Sequence, residues 1–235
     1  MNNSLFASKS RQITYFAVLA ALTTVLQLFA NSIPIGAASI NLTLVPIVIT
    51  GMILGVWYAT AIGFVSGIIT MIQVVSGAGG LFSILFSYSP VILILVCVLK
   101  TTIAAFVGAW IFKIIKNKTV ATFISAGAVP IINTLIFILG MLIVSGYMSD
   151  AINEFNAAAG ETVLSMESGV IAFILVVLVG LNFPIEIGVN ILLAPAIYNV
   201  VKIVDKSFSD TENTDKTVNT SENETKDYEN NEGER

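Results

Sequence analysis

Six apolar runs, separated by polar or glycine-rich breaks, set the plan of the chain. Ile13–Ala30 is long enough for one bilayer crossing, which takes about 20 residues of helix. Leu42–Leu54 is shorter, with Pro46 near its start, and Gly55-Val-Trp-Tyr58 separates it from Ala59–Val75. Pro90–Phe112, Val120–Val144 and Gly169–Val204 follow. At about 1.5 Å per residue the last run exceeds one crossing but cannot hold two with a turn. It reads as one helix, bent or broken near Pro184, with its upper part outside the lipid. Asn31–Asn41, with Pro34 and Gly36, reads as a loop. So do Ser76–Ser89, with its glycines and Phe82, Phe86 and Tyr88, and the long Ser145–Ser168. The pattern predicts an all-α integral membrane protein with six transmembrane helices. Residues 1–12 form a short polar segment, 13–204 the membrane domain and 205–235 a tail.

Charge supports this plan. Of 235 residues, 56% are hydrophobic and 11% charged, against about 25% charged in a soluble domain. Lys9 and Arg11, then Lys113, Lys116 and Lys118, then Lys202 and Lys206 form three basic groups. Cytoplasmic loops carry the Lys/Arg excess. Six spans with both termini inside put all three groups in the cytoplasm, whereas merging the second and third spans would put the middle group outside. The turn at Gly55–Trp57 is therefore expected to be real, and Trp57 and Trp110 then fall at the inner interface. Ala37 and Ala38 offer a weak signal-peptide cleavage pattern, but the run before them is longer than a secretory h-region. Residues 205–235, rich in Asn, Thr, Asp, Glu and Lys, cannot bury enough apolar surface to fold.

Polar residues inside the apolar runs carry the functional information. Asn182, Glu186 and Asn190 recur at steps of four, so they share one helix face over roughly 12 Å of axis. Glu186 is the only carboxylate within the apolar runs. An ionisable group at mid-membrane costs about 2.5–3.5 kcal/mol on insertion scales, so it should face protein, water or ligand. Lys100 lies near the middle of the fourth span and Asn133 near the middle of the fifth, with Pro130 and Thr134 beside it. Three spans thus supply polar groups suited to a small hydrogen-bonding solute. The bland alternatives are a Lys100–Glu186 ion pair joining two helices, and a lysine that snorkels. Ala17 and Ala21, four apart on the first span, allow another helix to approach closely; Gly63 and Gly67 do the same on the third.

Several classes are excluded or disfavoured. The chain has no His and one Cys, Cys97, which removes Ser/His/Asp and Cys/His catalysis and disfavours a metal centre. No Gly-x-x-x-x-Gly-Lys-Ser/Thr loop is present to load ATP, and no basic-aromatic patch suggests nucleic acid. No cofactor is implied, and the chain does not read as an enzyme.

The run Arg11-Gln-Ile-Thr-Tyr-Phe-Ala-Val-Leu-Ala-Ala21, then Ile40-Asn-Leu-Thr-Leu-Val-Pro46 leading into Gly51-Met-Ile-Leu-Gly55, Gly63 and Gly67, and the final Asn182…Glu186…Asn190…Pro195 carry a resemblance. Over roughly Gln12–Lys202 the chain resembles the substrate-binding S components of energy-coupling factor (ECF) vitamin transporters. The resemblance implies a multi-pass protein of a prokaryotic plasma membrane that binds one vitamin from outside. Its implied partners are a transmembrane coupling protein and two ATPase subunits that drive release. Ala17 and Ala21 match the family's docking motif for the coupling protein. The resemblance also implies that the loaded subunit topples in the membrane and that outer loops close over the ligand. The substrate-binding residues expected are Lys100, Asn133, Asn182, Glu186 and Asn190. A lysine favours a carboxylate or phosphate on the ligand, and the likeness leans toward the pantothenate-type branch. The rival functions are a stand-alone secondary transporter or channel using Glu186 and Lys100, and a structural membrane subunit.

Overall fold

The computed structural model describes residues 9–30, 34–35, 38–39, 42–180 and 182–203. The acidic tail, the first eight residues and most of the Asn31–Asn41 loop lie outside these. The elements are α1 (Lys9–Ala30), α2 (Leu44–Ile53), α3 (Val56–Val75), α4 (Leu81–Tyr88), α5 (Pro90–Ile114), α6 (Lys118–Ile143) and α7 (Met148–Ala159). Next comes α8 (Val170–Ala172), which runs into a π-helical stretch, Phe173–Val179. Helix resumes over residues 182–203, here α9. A two-residue antiparallel pairing of Pro34–Ile35 with Ala38–Ser39 lies between α1 and α2.

Five apolar helical stretches are long enough to cross a membrane: α1, α3, α5, α6 and Val170–Ile203. α2, with 10 residues, covers about 15 Å, half the hydrocarbon thickness of a bilayer. It is nonetheless the most enclosed element, with Leu44, Ile47, Val48, Thr50 and Met52 all buried among its neighbours.

Close approach at small residues fixes the relative directions of the helices. Cβ atoms added at Gly63 and Gly67 of α3 would meet Thr101 O at 2.7 Å and Val98 Cα at 2.8 Å on α5, so these helices run antiparallel with backbones in contact. Ser125 of α6 donates to the Gly108 carbonyl of α5 at 2.7 Å, and Gly140 abuts Val96 further along, again antiparallel. Gly51 of α2 faces Ala109 of α5. On α1, Gln12 meets Tyr58 at one end of α3 and Gln27 meets Ser66 and Gln73 toward the other, so α1 and α3 are parallel. Trp57 and Trp110 lie at one end of the bundle, the Trp end; α4 and α7 sit at the other, the cap end.

Two expected loops contain helix. α4 forms inside Ser76–Ser89 because Leu81 and Leu85, one turn apart, both bury. α7 forms inside Ser145–Ser168 because Met148, Ala151 and Ile152 make one apolar stripe, with Asp150 and Glu154 outside it. Gly160, at φ 75°, ends it in the left-handed conformation. Asn156 then organises the following loop, donating to Leu164 O at 2.7 Å and accepting from the N–H groups of Val163 and Leu164.

The break in the final span also differs from expectation. It falls at Gly180, at φ 26° and ψ −120°, a backbone state that side-chain-bearing residues rarely adopt. A Cβ there would collide with Val176 O. Pro184 instead lies in the first turn of α9, where its missing N–H has no helical partner to lose.

Two apolar clusters result. The Trp-end cluster includes Leu19, Leu44, Ile47, Ala104, Phe112, Ala126, Val129, Ala194 and Ile197. The cap-end cluster includes Leu81, Leu85, Leu93, Val96, Met141, Val144, Met148, Phe173 and Leu178.

Candidate functional site

Each long helix of the second half crosses from one apolar cluster to the other, and the predicted polar residues fall in between. On α5, Leu93 and Val96 belong to the cap-end cluster and Ala104 and Ala105 to the Trp-end cluster; Lys100 lies between them. On α6, Asn133 and Thr134 lie between Val129 and Met141. In the final span, Asn182, Glu186 and Asn190 lie between Leu178 and Ala194. The steps of four put these three side chains on one row, which continues into buried Ala194.

Packing aligns these positions in height. Gly127 of α6 faces Ile191 of α9: a Cβ added at Gly127 would lie 3.8 Å from Ile191 Cδ1. The helices are antiparallel, because Phe173 and Leu178 share the cap-end cluster with Met141 while Ala194 and Ile197 share the Trp-end cluster with Ala126. Asn133 is therefore about 9 Å capward of that contact. On α9 the same height falls near Glu186, between Asn182 and Asn190. Lys100 shares a helical row with Leu93 and Ala104, both fully enclosed, so it faces the bundle side of α5. Its Nζ lies 5.3 Å from the centre of the Phe137 ring, and Phe137 is one turn capward of Asn133. α2 begins at this height too: seven residues separate Leu44 from Gly51, which lies beside Ala109, so the helix starts level with Thr101 and Thr102.

The hydrogen bonding of this layer is incomplete among the described residues. Asn133 is 5% exposed, Asn182 7% and Asn190 1%. The Oδ1 atom of each is buried and has no hydrogen-bond partner. The Asn190 amide is oriented by its own helix: Nδ2 donates to the Glu186 backbone carbonyl at 2.8 Å, leaving Oδ1 as the free acceptor. An unmet buried acceptor costs about 1–3 kcal/mol, and the great majority of buried polar atoms in native proteins have a partner. Three such atoms on two adjoining helices mark the layer as a place where further hydrogen-bond donors would fit. Glu186 is buried at 6% exposure and engages a partner of its own. The Lys100 ammonium sits over the Phe137 ring, an attraction between cation and π face.

Gln27 and its partners are absent from the sequence reading, whereas Phe82 and Tyr88 are named there only as aromatics of a loop. Gln27 of α1 is buried, and its Oε1 accepts from Thr43 at 3.2 Å and Ser66 at 2.9 Å. Its backbone carbonyl accepts from Gln73 at 3.2 Å. This node ties α1 to α3 and to the start of α2. An amide inside the first apolar run was the signal available for it. Phe82 of α4 packs edge-on to Phe137 at 5.6 Å between centroids, so the cap-end helix sits directly over the ring that carries Lys100. Farther out, Tyr88 stacks on Tyr147 at 5.8 Å and donates to Glu154 at 3.2 Å. Desolvation, that hydrogen bond and the charges of Glu154 and Asp150 all push the phenol above its ordinary value.

Ala17 and Ala21 lie away from this layer, on the exposed face of α1 with Val18, Leu22 and Val25. Of the membrane-length stretches, α1 buries the smallest share of its length. No family model matches the chain, nor does any curated protein or solved structure.

Proposed function

We propose that this chain is the substrate-specific S component of an ECF-type importer, binding a small vitamin in the polar layer and delivering it through a shared ATP-driven module. One observation carries the reading: the buried amide oxygens of Asn133, Asn182 and Asn190 have no partner among the described residues. A purely structural polar layer would satisfy its own acceptors. The sequence resemblance to S components supplies the rest of the assignment.

Other features support it. α1, α2, α3, α5, α6 and the final span alternate in direction, as six passes with both termini on one side require. In that plan the Trp end, with Arg11, Lys113, Lys118 and Lys202 near it, is cytoplasmic. The layer is then reached from outside, beneath α4 and α7. The outward Ala17–Ala21 face of α1 provides a close-packing surface for a transmembrane coupling protein. The position of the Lys100 ammonium over an aromatic ring supports a role for its charge toward a ligand carboxylate.

Affinity purification from the native membrane tests this. The expected result is co-purification of a coupling protein and two ATPases, with uptake into vesicles that stops when ATP is withheld. Uptake by this protein alone in ATP-free vesicles would make it a secondary transporter instead.

A further inference from the structure

The two ends of the bundle carry opposite charge. Among the described residues the carboxylates are Asp150, Glu154, Glu161 and Glu167 at the cap end and Glu186 in the layer. The Trp end holds cations only. Lys9 and Arg11 open α1, Lys113 lies in the last turn of α5, Lys116 and Lys118 lie where the chain turns into α6, and Lys202 is near the end of α9. Packing gathers them, because Phe16, Ile115 and Val201 all rest on the Trp-end cluster. Lys118 is committed within its own turn: its ammonium donates to the Phe112 and Ile115 carbonyls at 3.2 Å each and lies over the Phe112 ring. For Lys9, Arg11, Lys113, Lys116 and Lys202 no carboxylate of the described residues is at hand, and all but the half-buried Arg11 are exposed. Basic residues at one end are the ordinary mark of a cytoplasmic face. Like charge gathered without a counter-charge, however, repels itself.

The chain supplies that counter-charge from the same end. α9 arrives there at Ile203, beside Lys202, and residues 204–235, outside the described ones, add ten carboxylates and four bases. At up to about 3.3 Å per residue, ten residues past Ile203 span about 33 Å, roughly three helix diameters. The carboxylates from Asp215 onward therefore reach any of the five cations. Tethering keeps them at roughly millimolar effective concentration. An anionic leaflet repels the same carboxylates, which leaves the Trp end as the cationic surface within their reach.

We infer that residues 204–235 dock across the Trp end as an electrostatic clasp, their carboxylates paired with Lys9, Arg11, Lys113, Lys116 and Lys202. Covered in this way, the end presents a nearly neutral face, and an anionic partner has to displace the tail to reach the lysines. The clasp does not depend on what the polar layer binds.

Both tryptophans of the chain, Trp57 and Trp110, lie at this end, so they report on the tail directly. Ser221→Cys in the full-length protein carries a dansyl group, Cys97 being buried. Energy transfer from the tryptophans is read in phosphatidylcholine nanodiscs. Raising the salt from about 0.1 M to about 1 M shortens the screening length from about 10 Å to about 3 Å and should cut the transfer by about half. Lys113→Gln with Lys116→Gln should lower the transfer at low salt. So should Asp210→Asn, Glu212→Gln and Asp215→Asn together, which carry the test if the lysine pair unfolds. Transfer indifferent to salt and to both sets of substitutions would overturn the inference. Transfer that falls when the nanodiscs are diluted would assign the tail to a second copy. Transfer lost when phosphatidylglycerol replaces phosphatidylcholine at the lower salt would assign the cations to lipid headgroups. Either of these results would overturn the clasp as well.

Discussion

Gln27 shows what a single buried amide does in this bundle. Its side-chain oxygen gathers hydroxyls from positions 16 and 39 residues away, so Gln27→Leu removes an acceptor from both Thr43 and Ser66. We expect a loss of about 1–3 kcal/mol, read from denaturant unfolding in detergent. Asn182, Glu186 and Asn190 were legible in the sequence because their spacing matches a helix turn. Gln27 was visible as an oddity, but its partners come from other helices and no local spacing encodes them. At the cap end, the Tyr88 phenol should titrate above its ordinary value, and Glu154→Gln should bring it down, as read by ultraviolet difference titration against Tyr88→Phe. The sign follows from linkage: a raised pKa favours the protonated phenol, so its contribution holds below about pH 10 and is lost as pH rises through the raised value. A Tyr88 that titrates normally would remove the Glu154 contact from the account.

Among the elements, the spans were readable from the length of their apolar runs, and the Gly63–Gly67 spacing marked the face on which α3 meets α5. Gly67→Leu would place its side chain against the Val98 backbone. It should cost about 1–3 kcal/mol by overpacking, or prevent assembly of the bundle. α4 and α7 were not readable as helices, since glycine-rich or polar flanks and lengths of 8 and 12 residues mask short stripes that form only against a tertiary surface. Pro184 drew attention away from Gly180, because a proline is a visible breaker whereas the need for a positive φ is set by the fold. Gly180→Ala should destabilise by about 1–3 kcal/mol and sever the π stretch from α9. Limited proteolysis of the cap end in the variant would report this as faster cleavage. Unchanged cleavage would mean that the break tolerates a side chain.

For the whole molecule, the important fact is the separation of two apolar clusters by one polar layer. The Trp-end cluster carries the fold and the face with Ala17 and Ala21; the cap-end cluster carries the covering helices. On the S-component proposal these tasks are separable. Ala17→Trp with Ala21→Trp should abolish co-purification of the coupling module while leaving ligand affinity within about twofold, since the face does not touch the layer. The sequence placed the layer's residues on three spans. It could not say that their amide oxygens lack partners, because that depends on what neighbouring helices fail to supply. The most direct test of the central claim is mass spectrometry of the small molecules released when the purified protein is denatured. The account predicts near-stoichiometric release of one polar compound from the wild type, and none from the combined Asn133→Leu, Asn182→Leu variant. Equal release from both, or none from either, would contradict it.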